Sequence, residues 1–399
     1  MNVNFFTAQF PYKNSEAYIE NELPITAKYF ENIKIFPHYF ELDKSKRELP
    51  DNVSICQMKE YTSQKLSFSY KVLIIRFFLV EFWFSKKKSF YIKNTKKWLS
   101  LLKQGAKKAQ YIEENKLLQP DAINYSFWMN DWALVLAFLK KRKVIKSFVF
   151  RICGFDIWEE RCEGGYLPFR NLIYKYATAV WPNTIKAEIY VKDKTVFSSK
   201  VKNQYFGTKD FGFGKFEETE ELTIVSISNV IPLKRVELII DILKLVKTKV
   251  NWVHFGDGAG MQTLKDRAYK ELKHHNVQLM GRLEKFEDVL KYYVDNTVNM
   301  FITTSSTEGM PVTIMEALSY GVPVMATNVG GISEMISEKT GLLLDKEFDL
   351  KKAAIFIDEF KKSQYNTLKK RQEIREYWKN NFFAETEYKK FAQILIDSY

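Results

Sequence analysis

Two glutamates that flank a predicted helix start are the residues of this chain best placed to do chemistry. Glu308 and Glu316 lie eight positions apart in EGMPVTIME, directly after the apolar segment VNMFITT. VNMFITT predicts a strand, and Pro311 is expected at the first position of a helix that runs to Tyr320. The free backbone N–H groups of a first helical turn attract anions, and carboxylates accept hydrogen bonds from vicinal hydroxyls. A nucleotide-sugar, with hydroxyls at both ends and phosphates between them, fits this arrangement.

Four segments together carry a family resemblance. EGMPVTIMEALSYGVPVMATNVGGISEMI resembles the donor-binding signature of family 4 glycosyltransferases, which are retaining enzymes of the GT-B fold. Upstream, SISNVIPLKRVELIIDIL, HFGDGAGMQTLK and VQLMGRL resemble the other donor-domain segments in their usual order. The resemblance implies that Glu316 holds the ribose hydroxyls and Glu308 the transferred sugar. The alternative is that both glutamates are ordinary solvated charges at helix ends.

The resemblance also assigns the residues between the two glutamates. The N–H groups of Val312 and Thr313 would face the phosphates, and Gly309, Met310 and Pro311 would complete this part of the donor site.

Lys234 follows a predicted strand and a proline-containing turn at the entrance to a helix, where an ammonium can reach a diphosphate. The resemblance makes Lys234 the phosphate lysine of the family. Asn229 and Arg235 depart from the family pattern GRLxxxKG, in which Arg and Gly are common at these two positions. Arg235 is therefore a second candidate cation for the phosphates. A solvated lysine at a helix start is the other interpretation of Lys234.

A glycine-rich turn in HFGDGAG follows a predicted strand. Such a turn alone is often merely structural. In series with GRL, the turn at Gly256 and Asp257 is expected to admit the nucleotide base, and the backbone near Gly281 and Arg282 to contact the ring.

The first half of the chain holds a further segment of the resemblance, FVFRICGFDIWEERCEGGYLPFR. Relatives carry a His-Gly-x-Asp pattern here, and the His is thought to contact the transferred sugar. Cys153 occupies the His position, while Gly154 and Asp156 match. Cys153 and Asp156 are therefore candidate catalytic residues, although a small buried Cys is the commoner case. Arg151 has two interpretations, a structural pair with Asp156 or contact with the phosphates.

Near the N-terminus, FPYKNSEAYIENE follows the first predicted strand, where relatives often carry a glycine pair. Lys13, Asn14 and Ser15 are candidates to present backbone N–H groups to the diphosphate. Ser15 as a simple helix N-cap is the alternative.

A length of 399 residues favours two domains rather than one core. In the second half, helical segments alternate with predicted strands, which indicates a parallel, doubly wound α/β sheet; the strands are near LTIVSIS, NWVHF, VQLM, VNMFITT, VPVMAT and GLLL. The first half is less regular, with short strands predicted at MNVNFFT, NIKIF, DAINYS, KSFVF and TAVWP. We predict an acceptor domain over 1–205, a nucleotide-sugar domain over 206–379 and, by resemblance to GT-B, a last helix over about 380–399 that crosses back. The two Rossmann-like domains would face a central cleft.

Charge is unevenly distributed along the chain. Residues 1–205 contain 34 basic and 20 acidic side chains (+14), against 27 and 28 (−1) in residues 206–399. Phe82 to Ile112 holds nine lysines and no acid, interleaved with aromatic residues. This pattern indicates contact with an anionic membrane surface, or else a solvated basic face over an ordinary buried helix. No nucleic-acid-binding module is recognisable.

The sequence shows no apolar run long enough to span a membrane, no signal peptide, and no zinc or disulfide pattern among Cys56, Cys153 and Cys162. We therefore expect a cytoplasmic enzyme, peripheral on the inner face of the cell membrane, that needs no metal or cofactor. It would move a hexose or N-acetylhexosamine from a UDP- or GDP-sugar to a glycan or lipid-linked glycan of a bacterial surface polysaccharide, with retention. The alternatives are a non-catalytic nucleotide-sugar-binding partner of another transferase and a sugar epimerase or phosphorylase of the same fold.

Overall fold

The structure is a computed structural model that describes residues 1–399 except 13–15, 40–46, 59–60, 130 and 284. By its internal contacts the chain divides into two units. The first comprises Met1–Tyr205 with Tyr388–Tyr399, and the second comprises Phe206–Glu387. The candidates Lys13, Asn14 and Ser15 lie outside the described residues.

The first unit is built on a six-stranded parallel sheet with the order β3-β2-β1-β4-β5-β6. Its strands are β1 (Asn2–Thr7), β2 (Asn32–Pro37), β3 (Val53–Ile55), β4 (Ala122–Ser126), β5 (Val149–Ile152) and β6 (Ala179–Pro182). Its helices are α1 (Tyr18–Thr26), α2 (Phe68–Phe84), α3 (Lys88–Lys93), α4 (Thr95–Glu114), α5 (Asp131–Lys141), α6 (Arg170–Tyr176) and α7 (Ile185–Lys194).

The second unit repeats this arrangement with a six-stranded parallel sheet of order β12-β11-β10-β7-β8-β9. Its strands are β7 (Leu222–Ile227), β8 (Val250–Phe255), β9 (Asn276–Gly281), β10 (Met300–Thr303), β11 (Val324–Thr327) and β12 (Gly341–Leu344). Its helices are α8 (Glu237–Leu243), α9 (Met261–Glu271), α10 (Phe286–Asp295), α11 (Val312–Ser319), α12 (Leu350–Asp358) and α13 (Leu368–Phe382), and α14 (Ala384–Asp397) ends the chain.

The prediction of a doubly wound α/β fold is confirmed, because both sheets are parallel and each is wound with helices. Two details of the prediction were wrong. The short strand β3 was missed, and Pro311 does not lie inside the helix. It is the N-cap residue of α11, in an extended conformation with φ −69° and ψ 121°, and the helix begins at Val312. In a parallel sheet all the strands end at one edge, so the loops that follow them meet there.

The lysine- and aromatic-rich part of the chain is helical, as predicted, and forms α2, α3 and α4. The inner face of α4 packs Trp98, Leu102 and Ala106 into the core of the first unit. Within the described part of the chain, no helix combines the length and the apolar character needed to cross a membrane.

A buried charge network holds the last segment of the chain in the first unit. Arg151, on β5, is fully buried and lies 3.3 Å from Glu22 of α1, and it also donates to the hydroxyl of Tyr125. The ring of Phe391 lies 3.8 Å from the Arg151 guanidinium carbon. The structure thus pairs Arg151 with Glu22 of the neighbouring helix, a carboxylate that the sequence analysis did not consider.

Arg151→Ala should destabilise the first unit by about 3–5 kcal/mol, because it leaves Glu22 buried without its cation. Urea unfolding followed by near-UV circular dichroism measures this loss. Lys192→Ala, which removes the exposed pair with Glu188, is the matched control and should cost under about 1 kcal/mol. Equal urea midpoints for Arg151→Ala and Lys192→Ala would contradict a large contribution of the Arg151 network to the stability of the first unit.

Candidate functional site

Lys234 and Glu308 form an ion pair between two loops at the carboxyl edge of the second sheet. The loops follow β7 and β10, which are neighbours in that sheet. Lys234 ends a short 3₁₀ turn, Pro232–Lys234, and its Nζ lies 2.5 Å from Oε1 of Glu308. The side chains are 26% and 11% exposed, respectively. A ligand at this edge can therefore reach both charges.

The loop that carries Glu308 is fixed by a second glycine-rich loop. The Gly331 N–H donates to the Gly309 carbonyl at 2.8 Å. Gly330 has φ +58°, and a Cβ at this position would lie 2.2 Å from the Glu308 carbonyl oxygen. Only glycine fits such a close approach, so the loop after β11 sets the position of the Glu308 backbone.

The start of α11 presents unused hydrogen-bond donors. Pro311 provides no side-chain cap, and no described residue accepts from the N–H groups of Val312 and Thr313. These donors, together with the positive end of the helix dipole, form a site suited to an anion. They lie four and five positions after Glu308, at the same edge of the sheet.

Glu316 carries a buried carboxylate that is not hydrogen-bonded in the described part of the chain. The residue is 6% exposed, and its Oε2 has no hydrogen-bond partner among the described residues. Burial raises the pKa of Glu316 to about 8. A buried oxygen without a partner is costly, so an incoming hydroxyl donor at this position would be strongly favoured.

Arg235 is already engaged by the protein. Its backbone is left-handed (φ +47°), and its guanidinium donates to the carbonyls of Thr304 and Lys346 at 2.8 and 2.7 Å. It also pairs with Glu347 at 3.2 Å. Arg235 therefore connects neighbouring loops. Its guanidinium is occupied by these protein contacts, whereas the sequence analysis considered it as a second cation for the phosphates. Lys234 remains the candidate for phosphate contact.

The glycine turn after β8 joins three loops. The Gly256 N–H donates to the Gly281 carbonyl at 2.8 Å, and the Val230 N–H donates to the Asp257 carbonyl at 2.9 Å. Gly256 has φ +139°, and a Cβ there would lie 1.8 Å from the Ser228 carbonyl oxygen. Packing therefore requires glycine at position 256, whether or not the turn binds a ligand.

Two other predicted donor residues contact each other beside this turn. Arg282 follows β9 and donates to the amide oxygen of Asn229 at 3.1 Å. Arg282 is exposed, so this guanidinium sits at the open rim of the edge where the base was predicted.

The first-unit candidates Cys153 and Asp156 are both buried. An oxygen of Asp156 accepts the Met129 N–H at 3.0 Å, and burial raises the pKa of Asp156 to about 8. Burial also raises the pKa of the Cys153 thiol, which disfavours the thiolate needed of a nucleophile. Asp156 thus ties the loop after β5 to the loop after β4.

The sequence interpretation missed Glu16. Its buried carboxylate accepts the backbone N–H groups of Ala8, Gln9 and Phe10 at 3.0, 2.6 and 2.7 Å, and the indole N–H of Trp128 at 2.6 Å. The backbone donors of Ala8, Gln9 and Phe10 in the loop after β1 are therefore occupied by the protein's own carboxylate. The sequence signal that could have identified this role is the position of Glu16, an acidic residue close behind the first predicted strand.

Comparison with known proteins identifies a family for most of the second unit. Residues 209–381 match the family described as "Glycosyl transferases group 1". One component of the human phosphatidylinositol N-acetylglucosaminyltransferase is 31% identical over 139 residues, which cover 34% of this chain and 28% of the human protein. The chain therefore spans under a third of that relative's length.

Solved structures match over the whole chain. The lipopolysaccharide outer core galactosyltransferase WaaB has a TM-score of 0.70 at 15% identity, and 100% of each chain is covered. Anabaena HepE in complex with UDP-glucose has a TM-score of 0.69 at 16% identity, also with 100% of each chain covered. Identities this low establish the fold alone. Residues 209–381 thus match the glycosyl transferases group 1 family, in a chain with the GT-B fold of two Rossmann-like domains.

Proposed function

We propose that this chain is a glycosyltransferase that moves a hexose or N-acetylhexosamine from a nucleoside-diphosphate sugar to a hydroxyl acceptor, with retention of configuration. The proposal rests on the buried carboxylate of Glu316 and the nearby N–H groups of Val312 and Thr313, none of which has a hydrogen-bond partner among the described residues. One helix thus offers an acceptor for ribose hydroxyls and donors for a diphosphate. The family match of residues 209–381 supports the same activity.

The Lys234–Glu308 pair completes the donor site in this proposal. Lys234 would leave or share its contact with Glu308 to meet the diphosphate, because the diphosphate as a whole carries more negative charge than one carboxylate. Glu308 would then accept from hydroxyls of the transferred sugar. The ion pair therefore keeps both side chains in place before the donor arrives.

In the reaction, the bond between the sugar C1 and the diphosphate oxygen breaks while the acceptor oxygen bonds to C1 from the same face. The acceptor proton passes to the departing diphosphate. Lys234 and the N–H groups of α11 would stabilise the charge that develops on the leaving group, which is the main contribution of the protein.

The acceptor we propose is a glycan or lipid-linked glycan, in synthesis of a bacterial surface polysaccharide or glycoconjugate, and the site of action is the cytoplasmic face of the membrane. The names of two similar proteins, one a phosphatidylinositol N-acetylglucosaminyltransferase and one a lipopolysaccharide outer core galactosyltransferase, support a lipid-borne acceptor. The excess of basic residues in the first unit supports an acceptor that lies in an anionic environment.

The direct test incubates the purified chain with a panel of UDP- and GDP-sugars, with and without lipid extract as acceptor. Release of nucleoside diphosphate together with a new glycoside supports the proposal. An epimerised sugar would indicate the epimerase alternative. Donor binding with no turnover under any acceptor condition would favour a non-catalytic partner of another transferase.

Glu316 should release a proton when nucleotide binds. In the free protein its pKa is about 8, so at pH 7 the carboxyl is mostly protonated. Ribose hydroxyls that donate to the carboxylate favour its charged form and lower its pKa, so up to about one proton leaves per nucleotide. Calorimetry of UDP or GDP binding at pH 7 in buffers of different ionisation enthalpy measures this release.

Glu316→Gln should abolish the proton release and weaken binding by about 1.5–3 kcal/mol. Glu376→Gln, at an exposed position of α13, is the matched control and should retain both. Equal proton release in Glu316→Gln and the unchanged protein would contradict the ribose assignment.

Lys234→Ala should lower turnover of the donor by roughly 10²–10³, the scale expected when one group that stabilises a leaving charge is removed. Affinity for the free nucleoside should hardly change, since it lacks phosphates. Steady-state kinetics with calorimetry of nucleoside binding check both expectations, and Lys270→Ala, at an exposed position of the same unit, is the control. Unaltered turnover in Lys234→Ala would make Lys234 a solvated charge only.

A further inference from the structure

The helix α2 carries a stripe of exposed apolar side chains along its whole length. We name this the α2 stripe, and its members are Phe68 (81% exposed), Val72 (48%), Ile75 (60%), Leu79 (59%) and Trp83 (80%). Their spacing of four, three, four and four positions places them on one side of an α-helix. Large exposed apolar side chains that are contiguous in this way mark an interaction surface.

The opposite side of α2 is packed into the first unit. Tyr70, Leu73, Ile74 and Phe77 are buried in its core. The only acid of the helix, Glu81, also faces inward, where it accepts the backbone N–H of Phe169 at 2.9 Å and the hydroxyl of Tyr166. The helix is therefore apolar on both sides, and its outer face carries no negative charge.

Cations border the α2 stripe. Lys71 and Arg76 are exposed on the same helix, one on each side of the stripe, and Lys86, Lys87 and Lys88 are exposed just beyond its end. A helix with an apolar face edged by Lys and Arg, and with Trp and Phe near its ends, is the form that lies in the interface of an anionic bilayer. Two copies joined through the stripe would bring these cations together, which disfavours a homodimer.

We propose that the α2 stripe inserts into the headgroup region of an anionic bilayer while the bordering cations contact lipid phosphates. This proposal deepens the proposed function. It rests on that function in one respect only, namely that the acceptor is carried by a lipid in the membrane that the α2 stripe would contact. It differs from a purely electrostatic contact of the lysines between Phe82 and Ile112, because insertion buries apolar area and so survives high salt in part.

The test measures co-sedimentation of the full chain with vesicles of phosphatidylcholine alone or mixed with phosphatidylglycerol, at low and high salt. The unchanged protein should bind the anionic vesicles, and a fraction should stay bound at high salt. The triple variant Ile75→Ser, Leu79→Ser, Trp83→Ser should lose at least roughly tenfold in partitioning at both salt concentrations, because three exposed side chains no longer enter the bilayer.

A matched variant controls for the general loss of surface apolar residues. Tyr269→Ser, Ile355→Ser and Leu368→Ser replace side chains of the second unit that are 58%, 54% and 48% exposed, and should leave partitioning unchanged. Brominated lipid should quench the fluorescence of the unchanged protein more than that of Trp83→Phe. Since all the replaced residues are exposed, melting temperatures should stay close to that of the unchanged protein.

Three results would overturn the proposal. The α2 stripe variant could bind vesicles as well as the unchanged protein, or binding of the unchanged protein could vanish entirely with salt. A concentration-dependent dimer that the stripe variant abolishes, without vesicle binding, would make the face an interface between copies. Nucleotide affinity is measured in parallel for every variant. Because the α2 stripe variant should bind nucleotide normally, this measurement distinguishes a failure of the membrane proposal from a failure of the proposed donor site.

Discussion

The arrangement of the candidate donor site depends on the cost of burying the Glu316 carboxyl, which has no hydrogen-bond partner in the part of the chain that the structure describes. That cost would be recovered only when a hydroxyl donor reaches it. Glu316 sits on α11, whose first N–H groups are also unpaired, so a single short helix presents an acceptor and two donors. The loop after β11 fixes the segment that leads into this helix, through the close approach of Gly330 to the Glu308 backbone. The parallel sheet brings the loops after its strands to one edge.

The two units use acidic residues differently. In the second unit, Glu308 and Glu316 stay available, one in a partly exposed ion pair and one without a partner. In the first unit, Glu16 and Asp156 accept backbone N–H groups of adjacent loops and so fix the edge of that sheet. Glu22 serves the same structural purpose through Arg151. The chemistry that we propose for the diphosphate therefore rests on the second unit.

Sequence alone could predict the alternating elements, because the buried strands of a parallel sheet are short apolar runs between helices of regular length. Every strand of the second sheet was predicted in this way. β3 was missed because it has three residues and only partly buried side chains. The partners of Arg151 and Arg235 could not be predicted, since Glu22 and Lys346 are brought near them only by the tertiary fold. The apolar run of α2 gave no sign of which side chains would be exposed, because both of its sides are equally apolar.

The most direct test of the account is a crystal structure of the full chain grown with UDP or GDP. We expect the ribose hydroxyls within hydrogen-bond distance of Glu316, and the diphosphate at the N–H groups of Val312 and Thr313 with Lys234 beside it. A nucleotide bound at another edge of the fold, or a Glu316 carboxyl that still lacks a partner in the complex, would contradict the central claim.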